Sequence, residues 1–346
     1  MLQGMTETRP DTMGSIRKLG WTLRLLTLML AALLAFVSGA WGAVALWFQL
    51  PRRKRLNRFG SLAWCAWVVG MFCMAATKAA LWPLAVHGLT LLSSLLWWQT
   101  IRPSNQRVWA DDVARLLHAT EQGSTVVLVN VRDFHWRTVD DYDIRWKTAE
   151  YNLDQLASAE AIVSYWDSPA IAHAMISFGF ENGQHLVFSV EIRRKLGQKF
   201  SSLGGFFKQF EMILVAAEER DIVRVRTNIR GEDDYLYPLS MDRSFMRSLF
   251  LSYLDAANKL TVKPRFYNTI TSNCTTLVYR MAKRLHRPLP LDVRLLLTGH
   301  LDSYLYDNGI LDQHLSLQEW RQGARITERA RRAGPAEDFS QAIRRE

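Results

Sequence analysis

The sequence predicts an α+β protein with three N-terminal transmembrane helices and a following domain in which an antiparallel sheet packs on helices. Three stretches without a charged residue, residues 25–50, 59–77 and 79–101, lie in the first third of the 346-residue chain. Each is close to the length of about 20 apolar residues that crosses a bilayer. Tryptophans near their ends, among them Trp21 and Trp82, fit a membrane interface. We therefore expect all three stretches to span a membrane.

Beyond residue 102 the chain has the composition of a soluble domain, in which short alternating apolar runs are mixed with segments of helical spacing. We expect four regions in chain order: a polar tail at 1–20, the membrane region at 21–101, a folded domain at 105–315 and a charged tail at 316–346. The last 25 residues of the chain are charged and are expected to fray in solvent.

The positive charge of the chain is concentrated beside the membrane region. The net charge is +10, and residues 1–102 hold eleven Lys and Arg against two Asp and Glu, which leaves about +1 for all later residues. Binding to nucleic acid requires a concentrated positive surface, so the small net charge of the folded domain argues against a nucleic-acid partner.

One of the three cysteines stands apart from the others. Cys65 and Cys73 lie within the second predicted span, which leaves Cys274 without a plausible disulfide partner. Asn273, Thr275 and Thr276 are typical of a helix start, where free N–H groups and the helix dipole stabilise a thiolate. Cys274 is therefore the candidate nucleophile, although a lone cysteine is more often inert packing.

Two alternating runs upstream predict a β-hairpin. They cover residues 171–180 and 185–194 and flank Glu181-Asn182-Gly183-Gln184. A three-residue loop would place His173 opposite Glu191 and diagonal to Ser189, whereas a two-residue Asn-Gly turn would place His173 among apolar side chains. Further elements are expected along the chain: a helix at 110–121, a buried strand at 124–131, a strand at 221–227 with solvated charges, and a helix at 244–260.

A set of motifs runs through the folded domain in chain order. They are His173 with Ser177-Phe178-Gly179-Phe180, then Ser189-Val190-Glu191-Ile192-Arg193, Glu211, Glu219-Arg220-Asp221, Arg226-Thr227, Tyr267-Asn268-Thr269 and Asn273-Cys274-Thr275-Thr276. Taken together, these motifs resemble the Lnb N-terminal periplasmic domain family of bacterial membrane and envelope proteins. The resemblance covers roughly residues 105 to 315. That family is similar to NlpC and papain-like thiol enzymes in permuted order, which implies a papain-like arrangement of the domain.

The resemblance also implies roles for single residues. It makes Cys274 the nucleophile and His173 the base, with Ser189 or Glu191 orienting the imidazole ring. Tyr267, Asn268 and Asn273, from the same motifs, are expected to bind substrate. No metal and no cofactor is expected.

The implied reaction is acyl transfer from a membrane phospholipid, through a thioester on the cysteine, to the N-terminus of a lipoprotein. A thiol peptidase or amidase acting on envelope peptides is the second hypothesis, and a non-catalytic membrane scaffold is the third. The basic loop at 51–58 favours a cytoplasmic domain, and the basic residues before the first span favour export. The resemblance favours a multi-pass bacterial inner-membrane protein whose catalytic domain faces the periplasm.

Overall fold

The computed structural model describes residues 12–51, 55–78, 80–285, 289–334 and 338–345. The chain divides into two compact units, residues 1–102 and 103–346. The predicted polar tail lies outside the described residues up to residue 11, and the chain is helical from Thr12.

The first unit contains three helices, α1 (Thr12–Gln49), α2 (Leu56–Lys78) and α3 (Trp82–Thr100). Two segments, Leu19–Gln49 and Leu56–Lys78, are long and apolar enough to cross a membrane. The shorter α3 has 19 residues and carries His, Ser, Thr and Gln side chains. A third span therefore stays a prediction.

Polar side chains join the three helices inside this unit. The Ser38 hydroxyl on α1 lies 3.0 Å from His87 Nε2 on α3, and the Trp64 indole N–H on α2 donates to the Ser38 carbonyl at 3.1 Å. Both His87 and Ser38 are buried. Polar groups in an apolar region need such partners, which accounts for a histidine in this helix.

The second unit is a mixed α+β domain. Its described strands are β1 (His118–Gln122), β2 (Thr125–Arg132), β3 (His135–Trp136), β4 (Tyr142–Asp143), β5 (Trp146–Asn152), β6 (Leu156–Ser168), β7 (Ile171–Phe180), β8 (His185–Arg193), β9 (Glu211–Ala217) and β10 (Asp233–Pro238). Its described α-helices are α4 (Ser202–Phe206), α5 (Glu219–Ile222), α6 (Arg243–Val262), α7 (Cys274–Leu285), α8 (Leu301–Asp307), α9 (Leu317–Ala324), α10 (Thr327–Arg332) and α11 (Phe339–Ala342).

The main sheet has the order β1-β2-β9-β8-β7-β6-β10, with β5 also paired to β2, while β3 and β4 form a separate pair. Its neighbours are antiparallel except for β2 and β9, which meet in parallel. The predicted antiparallel sheet is thus confirmed apart from this contact.

Helices cover both faces of the sheet. On one face, Phe178 and Phe188 pack against Phe250 and Tyr253 of α6, and α7 and α8 complete this layer. On the other face, apolar side chains of β6 to β9 pack against α5, α10 and α11. The sheet is therefore the middle of three layers.

The predicted hairpin is present with its three-residue loop. The Phe180 N–H donates to the Gln184 carbonyl at 3.0 Å, which leaves Glu181, Asn182 and Gly183 in the loop. Gly183 has a φ of 83°, a left-handed conformation that favours glycine. The ladder pairs Met175 with Ser189, and the same register continued two residues places His173 opposite Glu191, as the three-residue loop predicts.

Three expectations are corrected. The segment 110–121 is not a helix, because residues 118–122 form strand β1, where the Asn258 amide bonds both the N–H and the carbonyl of Ala119. The segment 221–227 is helical rather than extended: α5 is followed by a π-helical segment, Val225–Arg230. Its charges Asp221 and Arg226 are buried in ion pairs instead of solvated.

The third correction concerns the charged tail at 316–346, whose described part folds into α9, α10 and α11. Ile326, Phe339 and Ile343 are buried against the sheet. Arg344 of this segment binds the carboxylates of Glu160 and Glu219. Three buried apolar side chains and the half-buried Arg344 therefore hold this charged segment against the sheet.

Candidate active site

The β7–β8 hairpin brings His173, Ser189 and Glu191 into one cluster. His173 Nε2 lies 2.7 Å from Ser189 Oγ and 3.2 Å from Glu191 Oε1. The Ser189 hydroxyl donates to Glu191 Oε1 at 2.8 Å. Because this hydroxyl gives its proton to Glu191, the Ser189 oxygen accepts from His173, so Nε2 carries a hydrogen. The other ring nitrogen, Nδ1, is then the one left to exchange a proton with the thiol.

Cys274 is the first residue of α7, as predicted. Asn273 caps this helix, because its side-chain oxygen accepts from the Thr276 N–H at 2.8 Å and from the Thr275 hydroxyl at 3.0 Å. The Asn273 amide nitrogen donates to the Thr269 carbonyl at 2.9 Å. Both ends of this side chain are engaged in the loop and helix start, so it positions the cysteine.

The thiol of Cys274 lies where the β7–β8 ladder ends. The ladder stops at Met175 and Ser189, and the backbone N–H of the preceding residue, Ala174, helps to lower the pKa of the Cys274 thiol. The thiol and the His173 side chain are close enough for each to shift the pKa of the other. Since Nε2 is engaged by Ser189 and Glu191, Nδ1 is the nitrogen available to the thiol.

The charges of the cluster favour a thiolate beside an imidazolium. Burial lowers the pKa of His173, but the Glu191 carboxylate more than offsets this and the pKa rises to about 9. Burial raises the pKa of the Cys274 thiol, yet the hydrogen bond and charge of His173 bring it below its ordinary value. Burial likewise opposes ionisation of Glu191, whose pKa is nevertheless held well below its usual range by His173. A proton is therefore favoured on His173 rather than on Cys274 near neutral pH.

Arg226 forms ion pairs with both Glu191 of the thiol cluster and a second group of buried carboxylates. Its guanidinium donates to Glu191 Oε1 at 3.0 Å and to Glu232 Oε2 at 3.1 Å. Only 8% of the Arg226 side chain is exposed, so the two ion pairs lie in a region of weak solvent screening. Arg226 thereby fixes the position of Glu191, which in turn orients His173.

The second group contains Ser164, Glu232 and Asp234. Ser164 Oγ lies 2.6 Å from Glu232 Oε2 and 2.5 Å from Asp234 Oδ1. A hydroxyl has one hydrogen, so the second contact needs a proton on a carboxyl group. Burial raises the pKa of Asp234 to about 7, which makes Asp234 the proton carrier.

Two further residues expected to bind substrate differ in their relation to the thiol. Asn268 uses its side-chain oxygen to accept from the N–H groups of Ile270 and Thr271, which makes it a turn residue of the loop. Tyr267 is half-buried, and its pKa is raised by burial and then by the nearby charges of Cys274 and Glu191. Of the three residues expected to bind substrate, Tyr267 is therefore the one whose side chain faces the thiol cluster.

The start of α7 also offers hydrogen-bond donors. Within the described part of the chain, the backbone N–H groups of Cys274 and Thr275 make no hydrogen bond. Unpaired N–H groups at a helix start are suited to stabilise an oxyanion that forms next to the sulfur.

A mainly apolar cavity of about 520 Å³ lies behind the thiol, between the sheet and helices α6, α7 and α8. Ala174 and Thr275, the chain neighbours of His173 and Cys274, line it. Leucine, isoleucine and methionine side chains supply most of the remaining wall. The volume falls within the range of about 300–1,000 Å³ found for ligand cavities, and the lining suits a hydrocarbon group.

The residues that the structure describes include no group of three or more His, Cys, Asp or Glu side chains placed to hold a metal ion.

A family model described as the Lnb N-terminal periplasmic domain matches residues 142–299. The match includes His173, Ser189, Glu191, Arg226 and Cys274, and it shows that this part of the chain is similar to that domain. No curated protein and no solved structure matches the chain. Together with two candidate spans, the match fits a membrane-associated protein with a periplasmic domain. The relation to NlpC and papain-like enzymes stays a prediction.

Two features of the site were not predicted from the sequence. Arg226 was expected on a solvated strand face, although it belongs to the motifs that carry the family resemblance. The apolar cavity has no local signature, since it is lined from segments between Ala161 and Ile310 that only the fold brings together.

Proposed function

We propose that this chain is a membrane-anchored, thiol-dependent acyltransferase that moves an acyl chain from a phospholipid to an amine, with a lipoprotein N-terminus as the favoured acceptor. The observation that supports it is the position of the Cys274–His173 pair next to an apolar cavity of about 520 Å³. A peptidase needs an open groove for a polar backbone, whereas this cavity is lined mainly by aliphatic side chains.

The first half-reaction transfers the acyl group to the protein. The Cys274 thiolate attacks the ester carbonyl carbon, and a C–S bond forms. The N–H groups of Cys274 and Thr275 hold the oxyanion, a contribution of about 3 kcal/mol when a donor is well placed. As the ester C–O bond breaks, the His173 imidazolium gives its proton to the leaving alcohol.

The second half-reaction releases the acyl group from Cys274. An amine attacks the thioester carbonyl, a C–N bond forms and the C–S bond breaks. His173 accepts the proton that the amine loses, while Glu191 and Ser189 hold the ring with Nδ1 towards sulfur. Thioester to amide transfer is downhill, so an amine acceptor drives the reaction to completion.

The proposal is tested by incubating the purified full chain with phospholipid vesicles and a synthetic diacylated lipopeptide. We expect mass spectrometry to find N-acylated lipopeptide, dependent on Cys274 and His173. Release of free fatty acid without lipopeptide acylation would make the protein a lipase. Cleavage of envelope peptides without any acyl product would favour the peptidase, and no reaction with lipid or peptide would favour the scaffold.

The proposed localisation is the bacterial inner membrane, with several spans and the sheet domain in the periplasm. A reporter fused after Glu346 tests the orientation. Alkaline phosphatase activity is expected, and cytoplasmic fluorescence with no phosphatase activity would reverse it.

A further inference from the structure

An exposed apolar surface lies next to the thiol cluster, on the segment that follows β8 and on the segment that precedes α7. Five large side chains on it are 38% to 65% exposed: Leu196, Phe200, Leu203, Phe206 and Ile270. Isolated exposed apolar residues are ordinary, but a group of this size marks a contact surface.

Contacts between two segments make this a continuous surface. The Thr269 hydroxyl donates to the Ser202 carbonyl at 3.1 Å, so Ile270 lies beside α4. The Lys208 ammonium lies 5.8 Å from the centre of the Phe266 ring. The backbone of Gly205 packs against Thr269 and Tyr267, and Tyr267 faces Cys274. The surface therefore adjoins the thiol cluster.

The same two segments carry positive charge and no negative charge. Residues 194–208 contain four Lys and Arg, residues 262–270 contain two, and neither segment contains an acidic residue. Of these, Lys199, Lys263 and Arg265 are exposed. The net charge of about +1 for residues 103–346 hides this asymmetry, because the acidic residues lie elsewhere in the domain.

We propose that this surface, formed by residues 194–208 and 262–270, contacts the headgroup and upper acyl region of an anionic phospholipid bilayer. Exposed Leu and Phe side chains among Lys residues are the composition that binds a bilayer interface. Two helices of the first unit are long and apolar enough to cross a membrane, so a bilayer is the surface they would bring the chain to. A second copy of the chain is the less suitable occupant, since it would present the same positive charges.

The inference goes beyond acyl transfer, and it can be tested without any chemistry at the thiol. The full chain, with Cys65, Cys73 and Cys274 replaced by Ser, receives one new cysteine, Phe200→Cys, which is labelled with an environment-sensitive fluorophore. The matched control is Asn182→Cys in the same background. Asn182 is exposed in the loop at the opposite end of strands β7 and β8.

Both proteins are placed in lipid nanodiscs that contain or lack anionic phospholipid and lipid-borne quencher. At position 200 we expect a blue-shifted emission and quenching severalfold stronger than at position 182. The difference should shrink when anionic lipid is replaced by neutral lipid, or when Lys199→Glu and Lys263→Glu are introduced together.

Equal quenching at positions 200 and 182 would overturn the proposal. Contact between two copies of the chain would give a blue-shifted emission in detergent that depends on protein concentration and is not quenched by lipid. That result would overturn the proposal of membrane contact. Quenching at position 200 that does not respond to anionic lipid or to the charge changes would overturn the anionic assignment. Because Cys274 is absent from these proteins, none of these outcomes bears on acyl transfer.

Discussion

Replacing Glu191 by Gln removes the negative charge that keeps the His173 ring protonated. The pKa of His173 is about 9, against an ordinary value of 6.5. Since each pKa unit corresponds to about 1.4 kcal/mol, the imidazolium is stabilised by about 3.5 kcal/mol. Burial and the Arg226 charge both lower the pKa of His173, so this pKa should fall steeply in the Glu191→Gln variant.

This change should be visible in the reactivity of Cys274. Without a protonated His173, burial favours the neutral thiol, and a loss of about 3.5 kcal/mol lowers the thiolate population near pH 7.5 by about 300-fold. The assay is the rate of Cys274 alkylation by a small iodoacetamide probe from pH 5 to 10, in a Cys65→Ser and Cys73→Ser background. We expect a wild-type plateau that extends to about pH 9 and its loss in the variant.

Glu121→Gln, on an exposed strand position, is the matched control and should behave as wild type. Thermal unfolding shows whether the variant is folded, because Arg226 loses one of its two partners. An unchanged pH profile in a folded Glu191→Gln variant would refute the reasoning. If Ser189→Ala abolished the plateau instead, the orienting role would belong to Ser189.

Three further predictions concern the cavity and the buried charges. Ala282→Phe should fill part of the apolar cavity and reduce transfer of the longest acyl chains about tenfold or more relative to short ones. The rate of Cys274 alkylation should not change, and an equal loss of transfer for all chain lengths would contradict the prediction. Asp234 has a pKa of about 7 in the folded state and about 3.8 when unfolded, so the free energy of unfolding falls as pH rises between these values. Asp234→Asn should make this fall smaller, as measured by thermal unfolding between pH 5 and 8. Arg344→Ala should lower the free energy of unfolding by about 3 kcal/mol, because it leaves the carboxylates of Glu160 and Glu219 next to each other without their cation. The control variant Arg345→Ala should lower it by less than about 0.5 kcal/mol.

The parts of the site that depend on local sequence could be predicted. The turn residues 181–184 and the alternation of the two strands predicted the hairpin, but they left a two-residue turn and a three-residue loop both open. The structure has the three-residue loop, which places His173 opposite Glu191. Asn273 is a typical N-cap residue, so it predicted that α7 begins at Cys274. Both depend on rules that act over a few residues.

The parts that depend on distant partners could not be predicted. Asp221 and Arg226 alternate with valines as on a half-exposed strand, but their buried partners come from β2, β8 and the segment before β10. The spacing of Val113 and Leu117 is typical of a helix, which led to the wrong prediction for this segment. Pairing with β2 and a hydrogen bond to Asn258 hold residues 118–122 as a strand. Charge alone suggested a solvated C-terminal tail, because Ile326, Phe339 and Ile343 are few among many charged residues.

The central claim is that Cys274 accepts an acyl chain from a membrane lipid. Intact-mass measurement of the purified full chain after incubation with phospholipid vesicles tests it most directly. We expect an acyl-sized increase in mass on the wild-type protein that neutral hydroxylamine removes, and no increase on Cys274→Ala. A wild-type protein that stays unmodified under these conditions, while its Cys274 reacts readily with the alkylating probe, would contradict the claim.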